Sequence, residues 1–190
     1  MSSDTDRRER FLAVTTVVYE PLQRYLARRA SADDAAELLN DTLTVVWRRL
    51  DDVPAAAPLP WCYGVARRSL ANHRRGEQRR LRLVDRLTTQ RTDDAPAASA
   101  GVDDDLDPAL AAALQTLSPA EREIVHLWAW EQLAPREIAV VVDATPNAVS
   151  VALNRARNKI ATELGRQDPA ARGHNAVGRA DEPRTANDER

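Results

Sequence analysis

The sequence predicts an all-α protein made of two small helical domains joined by a flexible acidic linker. Apolar residues recur at helical spacing through most of the chain, strand signals are absent, and one region carries helix-start punctuation close to a helix-turn-helix pattern. With 190 residues, the chain can hold one domain or two small ones. Its 43% apolar and 29% charged residues are ordinary for a soluble globular protein. No apolar run approaches the roughly 20 residues that span a bilayer, so direct membrane insertion is not expected. The charged first ten residues are not followed by a signal-peptide-like apolar stretch, which points to the cytoplasm. A single cysteine, Cys62, excludes an internal disulfide framework.

Phe11, Val14, Val18, Leu22, Tyr25 and Leu26 form the apolar face of a first helix. Pro21 lies inside this run and predicts a kink or a fresh helix start. A second helix begins after Ser31, a good N-cap, with Asp33 and Asp34 in its positive first turn. Its apolar stripe is Leu38, Leu39, Leu43, Val46 and Leu50. Residues 51–60 hold Pro54, Pro58 and Pro60 and cannot be helical throughout. A third helix runs from about Pro60 through Trp61, Val65, Ala66 and Leu70 into an arginine cluster.

Residues 93–107 contain Pro96, Ser99 and Gly101, with no large apolar residue before Val102. Such a segment cannot bury enough surface to offset the entropy of ordering it, so it reads as a linker. A second polar stretch begins near Gly165 and predicts a disordered tail. The expected organisation is therefore a module at 7–91, a linker at 92–107, a module at 108–164 and a tail at 165–190. In the second module, Ser118-Pro119-Ala120-Glu121 is a capping box with proline at the first helical position. It opens a helix carrying Ile124, Val125, Leu127 and Trp128. Pro135 starts a short helix with Ile138, Val141 and Val142; Thr145 and Pro146 then cap and start a last helix burying Val149, Leu153, Ala156, Ile160 and Leu164. A short helix, a tight turn and a longer helix make a helix-turn-helix.

Net charge is −2, but its distribution matters more. Arg67, Arg68, Arg74, Arg75, Arg79, Arg80, Arg82, Arg86 and Arg91 are opposed within their segment only by Glu77 and Asp85. An acidic stretch follows with Asp93, Asp94, Asp103, Asp104, Asp105 and Asp107. A polyanion responds to the local field, because screening confines charge effects to roughly 10 Å.

Catalytic chemistry is not expected. His73, His126 and His174 are far apart in sequence, and none is expected to have a nearby Cys, Asp or Glu at metal-ligand spacing. Cys62, between Trp61 and Tyr63, reads as a small buried thiol. Gly64, Gly76 and Gly101 stand alone, so there is no glycine-rich phosphate loop. No catalytic residue, metal, cofactor or small-molecule substrate is assigned. The last helix instead presents Asn147, Ser150, Val151, Asn154, Arg155, Arg157 and Asn158 away from its apolar stripe. Asn bonds adenine edges, and Arg bonds guanine or phosphate.

The segments 34–48 and 59–75, including Glu37, Asn40, Asp41, Trp47, Trp61, Arg67, Asn72 and Arg74, resemble region 2 of extracytoplasmic-function (ECF) sigma factors. Leu117 to Glu123, Glu137-Ile138-Ala139 and Asn154-Arg155-Ala156-Arg157 resemble their region 4. The resemblance covers both modules in the right order. It implies a dissociable subunit of RNA polymerase that directs promoter recognition and transcription initiation. Its partners would be the polymerase core (β′ clamp and β flap), promoter DNA and an anti-sigma factor.

On that resemblance, Glu37, Asn40, Asp41 and Arg48 dock on the polymerase, with carboxylates steering towards an arginine-rich surface. Trp61, Arg67, Arg68, Asn72, Arg74 and Arg75 serve the −10 element, where a flipped base needs a pocket and a stacking surface. Arg68 replaces an Asn that many relatives use on the flipped base, and Val53 replaces a frequent aromatic. Asn147, Ser150, Asn154, Arg155 and Arg157 serve the −35 element. Relatives often carry basic residues where Ser150 and Ala152 stand, so weak −35 dependence is expected. The resemblance also suggests that the linker aspartates imitate RNA phosphates in a polymerase channel. A near-neutral chain with few phosphate contacts per module should bind duplex DNA poorly alone and gain affinity by tethering on polymerase. The alternatives are a stand-alone helix-turn-helix regulator, which leaves residues 7–91 unexplained, and a structural adaptor for helical partners.

Overall fold

The computed structural model describes residues 4–88 and 106–167, and every described element is helical. The acidic linker aspartates from Asp93 to Asp105, His174 and nearly all of the expected tail lie outside the described residues. The first module comprises α1 (Asp4–Ala27), α2 (Ala32–Arg48), a 3-10 turn (Leu50–Asp52) and α3 (Pro58–Thr88). The second comprises α4 (Pro108–Gln115), α5 (Pro119–Ala129), α6 (Pro135–Val142) and α7 (Pro146–Gln167).

α1 runs through Pro21 as one helix, so of the two expectations there, a kink or a fresh start, the fresh start does not occur. Proline removes the N–H that would bond the Val17 carbonyl. Val17 lies on the solvent side, 55% exposed, while Val18, Leu22, Tyr25 and Leu26 are buried on either side of the proline and hold the helix in register. Ser31 caps α2 as expected, its hydroxyl accepting from the Asp34 N–H at 3.2 Å. The core of this module joins α1 to Leu38, Leu39 and Val46 of α2 and Cys62, Tyr63, Ala66 and Leu70 of α3. Leu50 and Val53 plug its end, and Arg7 and Arg10 donate to the carbonyls of Trp47 (2.7 Å) and Val53 (3.1 Å).

The second module's three shorter helices, α4 to α6, have 8, 11 and 8 residues. Helices of this length are marginal alone, so capping and packing decide whether they form. Asp107 caps α4, accepting from Ala109 N–H at 2.8 Å; α4 itself was not resolved as a separate helix from the sequence. The expected capping box at Ser118 and Glu121 is present in full. α6 ends at Asp143 in the left-handed region (φ 56°), and Thr145 accepts from Ala148 N–H at 3.2 Å to start α7. Ile138, Ala139 and Val141 pack with Val149, Leu153 and Ala156. Ile160 and Leu164 are only half-buried, because α7 extends past the helices it packs on. Trp128, expected on the apolar face of α5, is 40% exposed, with the Arg157 guanidinium 5.2 Å from its ring centre.

The modules touch. α3 packs against α6, and one apolar core runs through both.

Candidate nucleic-acid interface

α7 stands at the surface with its apolar side held by α4, α5 and α6. Asn147 and Asn154, seven residues and so about two turns apart, are exposed in one stripe with Val151. Arg155 and Arg157 are exposed on either flank of that stripe. Ser150 is half-buried and donates to the Pro146 carbonyl at 2.9 Å, so its hydroxyl proton is already engaged within its own helix. The Arg157 guanidinium rests over Trp128 and still reaches solvent. Lys159 pairs with Glu121 at 2.8 Å and ties α7 to the start of α5. That ammonium, with the Ser118 N–H and hydroxyl, holds the Glu121 carboxyl down at about 2.

On α2, Glu37, Asn40, Asp41 and Arg48 are all exposed, and among the described residues none of the three charged ones joins an ion pair. They share one face at spacings of three, four and seven. Leu38, Leu39 and Val46 occupy the opposite, buried side.

The arginine side of α3 is more mixed. Arg68, Asn72, Arg74 and Arg75 are exposed, whereas Arg67 is half-buried. With Tyr25, Pro119 and Glu123 they line a cleft of about 520 Å³. Arg74 donates to the Arg29 carbonyl at 3.0 Å, and Arg75 to the Asn72 side chain. Trp61 is half-buried against the core, with the Arg49 guanidinium 5.6 Å from its ring centre, so part of its ring is already covered by protein. Val53 is buried and belongs to the core.

Two features were missed in the sequence. His73 does have ligand-type neighbours: its Nε2 lies 3.2 Å from Asp34 and its Nδ1 3.6 Å from Glu77. One ligand atom from each of the three falls within 4.8 Å of the others. The signal was the i, i+4 spacing of His73 and Glu77; Asp34 arrives only through packing. Because each imidazole nitrogen faces a different carboxylate, the trio ties α2 to α3. The second is Glu131, whose carboxylate is 3% exposed and sits against the first module. Cys62 is buried as expected, and desolvation pushes its thiol up to about 12. Burial also raises the Tyr25 and Tyr63 phenols, helped by Glu123 and Glu131 respectively.

The structure thus presents a helix-turn-helix with a polar outer face on α7, packed beside a second helical module. Residues 108–160, within the second module, match the family described as sigma-70, region 4. The chain is similar to the co-crystal structure of the sigma factor RpoE in complex with the anti-sigma factor NepR from Bartonella quintana. There the TM-score is 0.57 and the identity 22%, covering 81% of this chain and 96% of that one. It is also similar to the NMR structure of the PhyRSL–NepR complex from Sphingomonas sp. Fr1, at a TM-score of 0.50 and 18% identity, covering 93% and 97%. No curated protein matches the chain. The fold expected from sequence is thus the one observed, and the expected region 4 is the one matched. No helix among the described residues is long and apolar enough to cross a membrane.

Proposed function

We propose that this chain is an ECF-type sigma factor, a dissociable polymerase subunit that selects promoters and starts transcription in the cytoplasm. The observation that carries the reading is the sigma-70 region 4 domain at 108–160, set in a chain whose whole fold is similar to a solved sigma factor. In this reading residues 7–91 dock on polymerase and bind the −10 element, and residues 108–164 bind the −35 element. The exposed carboxylates Glu37 and Asp41, with Asn40 and Arg48, face the β′ clamp, and the second module faces the β flap. Arg67, Arg68, Asn72, Arg74 and Arg75 hold the −10 backbone while Trp61 supports a displaced base at its edge. Asn147, Asn154, Arg155 and Arg157 read or clamp the −35 groove. Ser150 adds little, since its hydroxyl is turned onto Pro146. An anti-sigma factor, of the kind named in the similar structures, is the expected antagonist.

Run-off transcription with core polymerase tests the reading. Promoter-directed transcripts should appear only when core and chain are combined. A core enzyme whose products are unchanged by the chain would refute it.

A further inference from the structure

We infer that Asp34, His73 and Glu77 form a binding site for a divalent transition-metal ion of the zinc type, which clamps the first turn of α2 to the middle of α3. The inference goes beyond the promoter reading and does not rest on it.

The three side chains reach one point from two helices. His73 and Glu77 stand one turn apart on α3, the i, i+4 spacing that lets two helical side chains converge on one ion. Asp34 enters from the first turn of α2. The His73 Nε2 lies 3.2 Å from Asp34 Oδ1, and its Nδ1 lies 3.6 Å from Glu77 Oε2. One ligand-type atom from each residue falls within 4.8 Å of the other two. Around a tetrahedral zinc, neighbouring ligand atoms stand roughly 3.4 Å apart, so closing the set asks for a movement of about 1 Å. The Glu77 side chain, 54% exposed, has room to make it.

Two observations separate this trio from an ordinary surface ion pair. The first is orientation. Asp34 Oδ2 accepts from the Ser31 hydroxyl at 2.6 Å, and that hydroxyl accepts in turn from the Asp34 N–H at 3.2 Å. The carboxylate is thereby held with Oδ1 towards the imidazole, as outer hydrogen bonds hold the ligands of a metal site. The second is an imbalance. An imidazole with a single ring proton donates to one carboxylate and turns a lone pair on the other. The neighbouring arginines do not correct this. Arg74 donates to the Arg29 carbonyl and Arg75 to the Asn72 side chain, and among the described residues neither pairs with Asp34 or Glu77. A dication held by one imidazole nitrogen and an oxygen from each carboxylate removes the lone-pair conflict and balances both acidic groups.

The donor set selects the ion. Imidazole suits zinc and its first-row neighbours and disfavours magnesium and calcium, while the lack of a thiolate excludes a soft cuprous site. Cys62, the one thiol, is buried in the core. His73 and Asp34 are half-buried and Glu77 is exposed, so water completes the coordination shell and the ion enters and leaves from solvent.

Zinc chloride titrated into the untagged full chain should show a single ion bound by calorimetry. The thermal transition should rise with zinc concentration, as for any ligand held only by the folded form, and magnesium chloride should not raise it. Glu77→Gln, a change at an exposed position, should weaken zinc binding by at least about tenfold, and His73→Gln should abolish it. Ser31→Ala removes no ligand and should weaken it about tenfold through the freed Asp34 carboxylate. His174→Ala should bind zinc as the parent does. A parent transition that zinc leaves in place, or that magnesium raises equally, overturns the site. So does zinc binding that survives both Glu77→Gln and His73→Gln, or that is lost in His174→Ala.

Discussion

The outer face of α7 and the arginine side of α3 are both polar, yet they sit in opposite situations. Asn147, Asn154 and Arg155 project into solvent from a helix whose partners all lie behind it. On α3, Arg67 is half-buried, Arg74 holds the Arg29 carbonyl, and the neighbouring cleft is shared with Pro119 and Glu123. The difference teaches that exposure of a cation and its availability to a ligand are separate properties. The second module offers a free surface; the first offers one already in use by protein.

The largest effect that could break this comparison concerns neither face but the third surface, on α2. Glu37→Lys combined with Asp41→Lys should abolish co-purification with core polymerase while shifting stability by no more than about 0.5 kcal/mol, as exposed substitutions do. Retained co-purification would remove the docking role from α2. Next comes Leu127→Ala, which hollows a fully buried site and should cost about 2–5 kcal/mol in denaturant melts. If the contacts of Glu131 with Arg28 and Tyr63 couple the modules, one shared transition should weaken; if the modules unfold separately, only the second module's transition should move.

On the free face, Arg155→Ala should weaken −35 binding by about 1–3 kcal/mol if the contact is base-specific. Ser150→Ala should change it far less, its hydroxyl being committed to Pro146. Gel-shift titrations on polymerase-bound chain compare the two, and equal losses would contradict the geometry. The smallest effect is in pH. Glu121 is held at about 2 against an ordinary 4.5, so its folded form binds a proton less readily than its unfolded form. Its stabilising contribution is complete above about 4.5 and fades as pH falls towards 2. Thermal melts of Glu121→Gln should lose that part of the acid sensitivity, and an unaltered slope would argue against the Lys159 pairing.

Much of the architecture was legible because it is written locally. Ser31, Ser118 with Glu121, Pro135 and Thr145-Pro146 each mark a helix start within four residues, and the structure begins helices there. At Pro21 no fresh helix begins, because Leu22, Tyr25 and Leu26 pack beyond it and carry α1 onward. Trp128 misled because helical periodicity cannot tell a core position from one covered by an arginine on another helix. The exposure of Asn147, Asn154 and Arg155 followed from the apolar stripe of their own helix, whereas Glu37, Asn40, Asp41 and Arg48 were singled out by the family resemblance. Glu131 did not, since its partners lie about 70 to 100 residues away and no pattern along the chain joins them.

Cys62 carries a consequence beyond packing. The chain's one sulfhydryl is sealed in the interior, and burial keeps it protonated at any physiological pH. Peroxides and disulfide exchange act on accessible thiolates, and Cys62 offers none in the folded chain. Whatever cue governs this molecule, its one thiol is not placed to perceive it.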